Sequence, residues 1–562
     1  MAFVDMISAL ASSAGSDNPM SPYLWIVIVG GIASVIMAFG MGANDVANTF
    51  GPSVGAKTLT LKQAVMFASV FEFTGSVLMG GAVVDTVSRG IADPEMFADT
   101  PEVLMLGMFT SLVAAGIWLL LATSLSLSVS TTHSVIGSII GFSLVAGGPG
   151  AILWGDLGLI VASWFISPVL SGSIAAATFW SVRRFILRKE NSLTLGYYFY
   201  PLLIATTVAV NVFFITYKGP FKGVEEVLPV WAGILVSIGA GIVLATLIHF
   251  LLMPFIRRYI EKGSSDEEED VGSLAATAPE DYGVSVPINA DASALSGATT
   301  TGVDDRMPLL ADASTPLIAE DTASKPTENA ASASVMSFYQ STLNRDVHAE
   351  AKSEEVARLH ASAEIFDEKT EQLFSYLQVA TACFASFAHG ANDVSNSVAP
   401  FTMIYYIYMY ADIPAGDYAP PVWILVMGGI GIVAGLALYG YKLIIAIGTN
   451  LIKMTPSRGF AIELATAATV VMASMIGIPI SSTHCQVGAT VAVGACEGKS
   501  GFNLKLFTKT FSAWIITIFF AGAVSAGIFS LAYFSPAHPD FGSVIIPPAD
   551  SASSAVSSLL GF

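Results

Sequence analysis

The sequence predicts an all-α polytopic membrane protein of about 12 membrane segments, built as two inverted repeats with broken half-helices at the midplane. Three observations carry that prediction. Of 562 residues, 54% are hydrophobic and 12% charged, against about 25% charged in a soluble domain. Several runs exceed the roughly 18 apolar residues that a membrane helix needs. The same polar motifs also recur, in the same order, on either side of one long hydrophilic block.

Hydropathy places segments at 23–43, 64–84, 103–122, 134–148, 157–180, 200–217, 230–255, 373–390, 422–448, 460–476, 486–497 and 510–534. Two of them, 134–148 and 486–497, are unusually short, and each follows a cluster of hydroxyl residues. Basic residues set the orientation. Arg183, Arg184, Arg188 and Lys189 follow one segment, and Arg257, Arg258 and Lys262 follow another two segments later, so both groups are expected in the cytoplasm. Lys57, Lys62, Lys453, Arg458, Lys499, Lys505 and Lys509 then fall on that side. The acidic 85–102 loop, Asp412, Asp417 and both termini fall outside.

The resulting layout is an extracellular tail (1–22), a first membrane half (23–180), two inserted helices (181–262), a cytoplasmic block (263–370), a second half (371–534) and an extracellular tail (535–562). Most of the net charge of −19 sits in one place, since residues 261–370 hold 22 acidic and 7 basic side chains. The acidity is local and points to no nucleic-acid partner. The block is rich in Ala, Ser, Thr, Asp and Glu. It buries too little apolar surface to offset its ordering entropy, so it reads as largely disordered, with "DEEED" (266–270) solvated and room for a short amphipathic helix near 346–372. Cys383, Cys485 and Cys496 form no disulfide or metal-ligand pattern. The N-terminus has no basic region of the kind that opens a cleaved signal peptide.

The repeats are explicit. "GANDVANT" (42–49) matches "GANDVSNS" (390–397), "TGSVLMGG" (74–81) resembles "AGLALYGY" (434–441), and "SVSTTHSVIGS" (128–138) resembles "PISSTHCQVGA" (479–489). Segment 23–43 runs inward and 373–390 outward, so the halves are opposed, with five segments each. Inverted repeats of this kind recur in secondary transporters, whose sites form at broken helices near the midplane. Segments of 12–15 residues reach only about 18–23 Å at 1.5 Å per residue, short of a hydrocarbon core of about 30 Å. Ser130, Thr131 and Thr132, with Ser481, Ser482 and Thr483, would then lie at half-helix N-termini inside the membrane. Free N–H groups and the positive dipole end favour an anion there.

Asp45 and Asp393, each flanked by asparagines (Asn44 and Asn48; Asn392 and Asn396), would meet at the repeat interface. A carboxylate in lipid is costly unless paired, and beside an anion it is repulsive. Two things relieve this: a small hard cation held by carboxylate, Asn and backbone oxygens, or an anion that carries its own proton. Phosphate carries one at neutral pH, whereas sulfate does not. Neither motif contains Lys or Arg, so the compensating charge is more easily imported than built in.

With these motifs the chain resembles the sodium-dependent inorganic phosphate transporter (PiT) family, on the paired "GANDV" signatures, "STTH", "SSTH" and "TPSRGFAIEL" (455–464), over roughly 23–260 and 372–534. The resemblance implies import of phosphate with sodium ions as co-substrate, and no cofactor. It implies phosphate held by Asp45, Asp393, Ser130, Thr131, Thr132, Ser481, Ser482 and Thr483. Sodium would be held by Asn44, Asp45, Asn48, Asn392, Asp393 and Asn396, with Glu72 and Glu463 in a coupling path around them. Arg458, five positions before Glu463, is a candidate ion-pair partner for it. His133 and His484 read as orienting histidines, with a proton relay as the alternative role. "GSIIG" (137–141) reads first as a close helix contact, and a homodimer is left open. The partners expected are phosphate, sodium and the lipid bilayer, in the plasma membrane.

Three rival functions were weighed. Proton coupling, or a different oxyanion such as sulfate, is the nearest. An intramembrane Ser–His hydrolase is disfavoured, because there is no G-x-S-x-G elbow and one active site needs no symmetric second cluster. The third is a sensor without turnover, which would show no sodium-driven accumulation.

Overall fold

Two crossings of helices that lack side chains at the contact hold the centre of this protein together. The structure, a computed structural model, describes residues 18–218, 229–262, 354–414, 418–475, 477–498 and 500–535. The two tails (apart from 18–22 and Ser535), the "DEEED" run, most of the expected cytoplasmic block, Asp417 and Lys499 lie outside the described residues. Contacts group residues 1–260 and 338–562 into one body.

In chain order the helices are α1 (Leu24–Met41), α2 (Ala47–Gly55), α3 (Leu61–Met79), α4 (Val84–Arg89), α5 (Pro101–Ser124), α6 (Thr131–Gly147), α7 (Trp154–Val182), α8 (Ser192–Lys218) and α9 (Val230–Leu247). After the block come α10 (Glu354–Ser362), α11 (Glu368–Tyr410), α12 (Val422–Tyr439), α13 (Tyr441–Asn450), α14 (Pro456–Met475), α15 (Ser482–Ala495) and α16 (Leu504–Phe534). Their starts follow local chemistry. A reciprocal Thr60/Gln63 capping box opens α3. Prolines open α5 and α14, where the missing N–H costs nothing. Asp367 and Asn503 cap α11 and α16. Among the described residues there is no strand, only an isolated bridge between Ala92 and Ile152.

Among the described residues, eight helical stretches are long and apolar enough to cross a membrane: Ser21–Gly55, Pro101–Ser124, Thr131–Ala151, Trp154–Leu187, Ser192–Phe213, Val230–Lys262, Val422–Tyr439 and Leu504–Phe534. This is a multi-pass membrane protein. The expected segments 64–84, 373–390, 460–476 and 486–497 correspond to α3, α11, α14 and α15, which do not reach that standard of length and apolarity.

Two sequence boundaries change. The segments at 23–43 and 373–390 were expected to stop at the "GANDV" motifs, but the helices run through them. After α1, a π-helical turn over Gly42–Val46 leads into α2, and α11 continues unbroken for 43 residues. The motif side chains find hydrogen-bond partners on other helices, so they need not end their own. Conversely, 64–84 and 422–448 divide at the paired glycines Gly80 and Gly440. The hydrophilic block also ends before 370. Val356 and Leu359 of α10 are buried, and Glu364 pairs with Arg188 at 2.6 Å and Arg183 at 3.6 Å. The Arg188 hydrogen bond, before all else, holds the Glu364 carboxyl below its ordinary range.

The central crossings are α1 on α12 and α3 on α11. A methyl on Gly42 would fall 1.8 Å from the Ile432 carbonyl oxygen, and one on Gly435 1.9 Å from that of Phe39. At the other crossing, a methyl on Gly390 would fall 2.2 Å from the Glu72 carbonyl oxygen, and one on Gly75 2.1 Å from that of Phe387. The "GSIIG" glycines are used inside the chain as well: methyls on Gly137 and Gly141 would meet the carbonyl oxygens of Ile518 and Gly522 on α16 at 2.5 and 2.1 Å. That face is therefore occupied and does not argue for a dimer.

Gly435→Ala is expected to force α1 and α12 apart and to cost about 1–3 kcal/mol, read as a lower unfolding midpoint of the detergent-purified protein. Gly155→Ala, where a methyl meets nothing within 4 Å, should leave the midpoint unchanged.

Candidate functional site

Ser130 and Ser481 stop the chain short of helix and start it again. Each sits in extended backbone as the N-cap of α6 or α15, and its hydroxyl accepts the backbone N–H three residues on, from His133 and His484 respectively, both at 3.2 Å. Serine suits this position because its short oxygen reaches an otherwise orphaned N–H. The next residue in each case turns to an aspartate. Thr131 donates to Asp45, and Ser482 donates to Asp393 at 2.5 Å.

The third hydroxyl of each cluster crosses between the halves. Thr483 donates to Asp45 at 3.0 Å and accepts from Asn48 at 3.1 Å. Thr132 donates to the Ile480 carbonyl at 3.3 Å and accepts from Asn396 at 3.4 Å. The leading asparagines hold the two turns that precede the caps. Asn44 donates to Thr123 and the Leu127 carbonyl and accepts the Val129 N–H, all at 3.0 Å. Asn392 donates to Asp393 at 2.6 Å and to the Ile480 carbonyl at 3.4 Å, and accepts from Ser474 at 3.1 Å. Asn48 also accepts from Ser128 at 3.1 Å. Each amide oxygen has two lone pairs, so these bonds leave acceptor capacity.

Both aspartates are buried. Asp45, His389 and Asp393 each offer an atom within 4.8 Å of the others, a grouping that could hold a metal ion. Among the described residues no Lys or Arg pairs with either aspartate. His389 bridges instead, with Nδ1 bonded to Glu72 and Nε2 2.8 Å from Asp393 Oδ2. Two like charges about 5 Å apart repel by about 3 kcal/mol at an effective dielectric of about 20. A hard cation would take the carboxylate and amide oxygens here, and the free N–H groups of the α6 and α15 starts favour an anion beside it.

A family model described as "Phosphate transporter family" matches residues 41–525, which take in both "GANDV" motifs and both capped helix starts. The chain belongs to the phosphate transporter family. It is similar to sodium-dependent phosphate transporter 1 of Mus musculus, 32% identical over 93% of this chain and 98% of that one, and of Homo sapiens, 32% identical over 94% and 98%. It is also similar to sodium-dependent phosphate transporter 2 of Felis catus, 34% identical over 91% and 98%. A solved structure of "the sodium-dependent phosphate transporter" is 27% identical, covers 91% of this chain and 100% of its own, and has a TM-score of 0.66.

The remaining residues singled out from this transporter's sequence divide between that cluster and other networks. Glu72 meets His389 and accepts from Ser386 at 2.9 Å. His389 was missed. It precedes the second motif, but its counterpart before the first is Met41, so the repeat gave no signal for it. Glu463 lies in a separate buried network, accepting from Ser53 at 2.7 Å, Thr381 at 2.8 Å and Gln378 at 3.4 Å. The expected Glu463–Arg458 pair is not formed. Five positions on a helix turn side chains about 140° apart, and Arg458 instead binds Glu497 and, at 2.8 Å, the Glu364 carbonyl. His133 and His484 pack against each other, with ring centroids 4.4 Å apart.

Arg458→Ala leaves Glu497, whose side chain is 7% exposed, without its ion pair and is expected to cost about 3–5 kcal/mol. A double-mutant cycle on unfolding midpoints should show coupling of Arg458 to Glu497 and none to Glu463.

Proposed function

We propose that this protein is a secondary active symporter that imports inorganic phosphate with sodium ions by alternating access. One observation carries the reading: two buried aspartates converge on paired helix starts rich in hydroxyls and N–H donors, with no Lys or Arg among the described residues to balance an anion. Such a pocket repels an anion until cations enter, which is the coupling a symporter requires. The names of the relatives support the same ions.

The roles follow from position. Thr131, Thr132, Ser482 and Thr483, with the backbone behind the Ser130 and Ser481 caps, face the phosphate oxygens, and Asp45 and Asp393 accept from its hydroxyl. Asp45, Asp393 and the amide oxygens of Asn44, Asn48, Asn392 and Asn396 hold sodium. Glu72, through His389, keeps the second aspartate in place. Glu463 and Arg458 tie α14 to its neighbours and influence the site through packing. His133 and His484 back the two helix starts.

The architecture proposed for this function is two inverted halves of five segments each, with α8 and α9 inserted between them and about 12 segments in all. The mirrored glycine crossings, the mirrored caps and the mirrored Asn44–Thr123 and Asn392–Ser474 bonds support it. Both termini lie outside and the hydrophilic block in the cytoplasm, as the basic residues suggest, with the plasma membrane as the setting. The Glu72–His389–Asp393 chain favours one second reading, in which protons replace sodium as the coupling ion.

The test is radiolabelled phosphate uptake into proteoliposomes with sodium, potassium and pH gradients imposed in turn. Uptake should need an inward sodium gradient, resist competition by excess sulfate, and fall at least about tenfold in Asp45→Asn, the loss of roughly one charge-assisted contact. Uptake that follows the pH gradient alone would transfer the coupling to protons, and sulfate competition would refute phosphate selectivity.

A further inference from the structure

Behind the two capped helix starts lies a cavity of about 820 Å³ between α6, α7, α15 and α16. Each half of the chain contributes one histidine and one tryptophan to its floor. His133 packs tilted against Trp164 with centroids 4.0 Å apart, and His484 against Trp514 at 3.8 Å. Its rim is apolar and faces outward from the helix bundle, where Phe165 and Val169 are 65% and 69% exposed. In a membrane protein that rim meets lipid.

The floor is polar and unsatisfied. Nε2 of His484 and the indole N–H groups of Trp164 and Trp514 are buried with no hydrogen-bond partner among the described residues. Leaving three such buried polar atoms unpaired is unusual. Their chemistry is specific. His484 Nδ1 lies 3.2 Å from the Trp164 carbonyl oxygen, which can only accept, so Nδ1 carries the proton. In the neutral ring Nε2 then presents a lone pair. The two indoles can only donate. A group that both gives and takes a hydrogen bond satisfies this set, as a hydroxyl does. A carboxylate would set its charge against the Nε2 lone pair, and no Lys or Arg lines the cavity to hold it. An acyl chain would leave every floor atom unpaired.

The volume lies in the range of about 300–1,000 Å³ that holds drug-sized ligands. A rigid, flat body loses less conformational entropy on entering than a flexible chain does, and it matches walls built from rings. We propose that this cavity binds a neutral lipid alcohol of the sterol class, its hydroxyl donating to His484 Nε2 and accepting from an indole N–H. The occupant would brace the first turns of α6 and α15 from behind, on the face opposite Asp45 and Asp393. This site does not depend on which ions the protein moves.

The full chain, reconstituted in sterol-free phosphatidylcholine vesicles, is labelled with a diazirine-bearing cholesterol analogue that keeps its hydroxyl, and the labelled peptides are mapped. Label is expected within 161–176, 484–495 or 507–518, competed about fivefold to tenfold better by cholesterol than by its 3-deoxy analogue. Val169→Trp, which fills the mouth, should cut the label about tenfold while sodium-driven uptake in the same vesicles is unchanged. Equal competition by the 3-deoxy analogue, stronger competition by palmitate, or label mapping elsewhere would overturn the proposal. So would undiminished label in folded Val169→Trp protein, or label that disappears as protein density rises, which would give the groove to a second copy of the chain.

Discussion

Repulsion between Asp45 and Asp393 is the constraint around which the centre is arranged. Both are buried within about 5 Å of each other, in a setting where an uncompensated charge is expensive. The surrounding hydroxyls, amides and His389 lower that cost without removing it. The polar groups of the motifs are spent largely on holding two helix starts in register, and among the described residues no Lys or Arg balances the two aspartates. In the proposed reading, positive charge that joins this centre is the condition for accepting an anion.

The symmetry of the centre is incomplete, and the departure lies next to the acids. The hydroxyl clusters, caps and asparagine bonds are mirrored between halves. The glycines of the crossings behind them are mirrored too, but the side chains beside those glycines are not. Where α3 meets α11, Glu72 and His389 form a polar pair, and where α12 meets α1, Ile432 and Met41 occupy the matching places. Asp393 thus has a titratable partner that Asp45 lacks. Two acids set in matching motifs therefore differ in their surroundings.

Much of this was legible in the sequence. The duplicated "GANDV" and the "STTH" and "SSTH" clusters pointed to side chains that the fold does bring together, because polar residues repeated within apolar segments stand out sharply. The hydroxyl clusters also marked two helix starts, at Ser130 and Ser481. Helix ends were less legible. Hydropathy stops at polar residues, whereas α11 runs on through Asn392, Asp393 and Asn396 because each finds a partner on another helix, Ser474, Ser482 and Thr132 respectively. Partners across the fold were not legible either. The Glu463–Arg458 pairing failed because proximity along the chain ignored helical angle, and His389 was overlooked because only one repeat carries it.

The most direct measurement of the central claim is equilibrium binding of phosphate to the purified protein as sodium is varied at constant ionic strength, with choline as the replacement. Phosphate affinity should rise steeply with sodium, and should lose most of that dependence when Asp45 and Asp393 are both replaced by asparagine. Phosphate binding as tight in choline as in sodium would contradict the account.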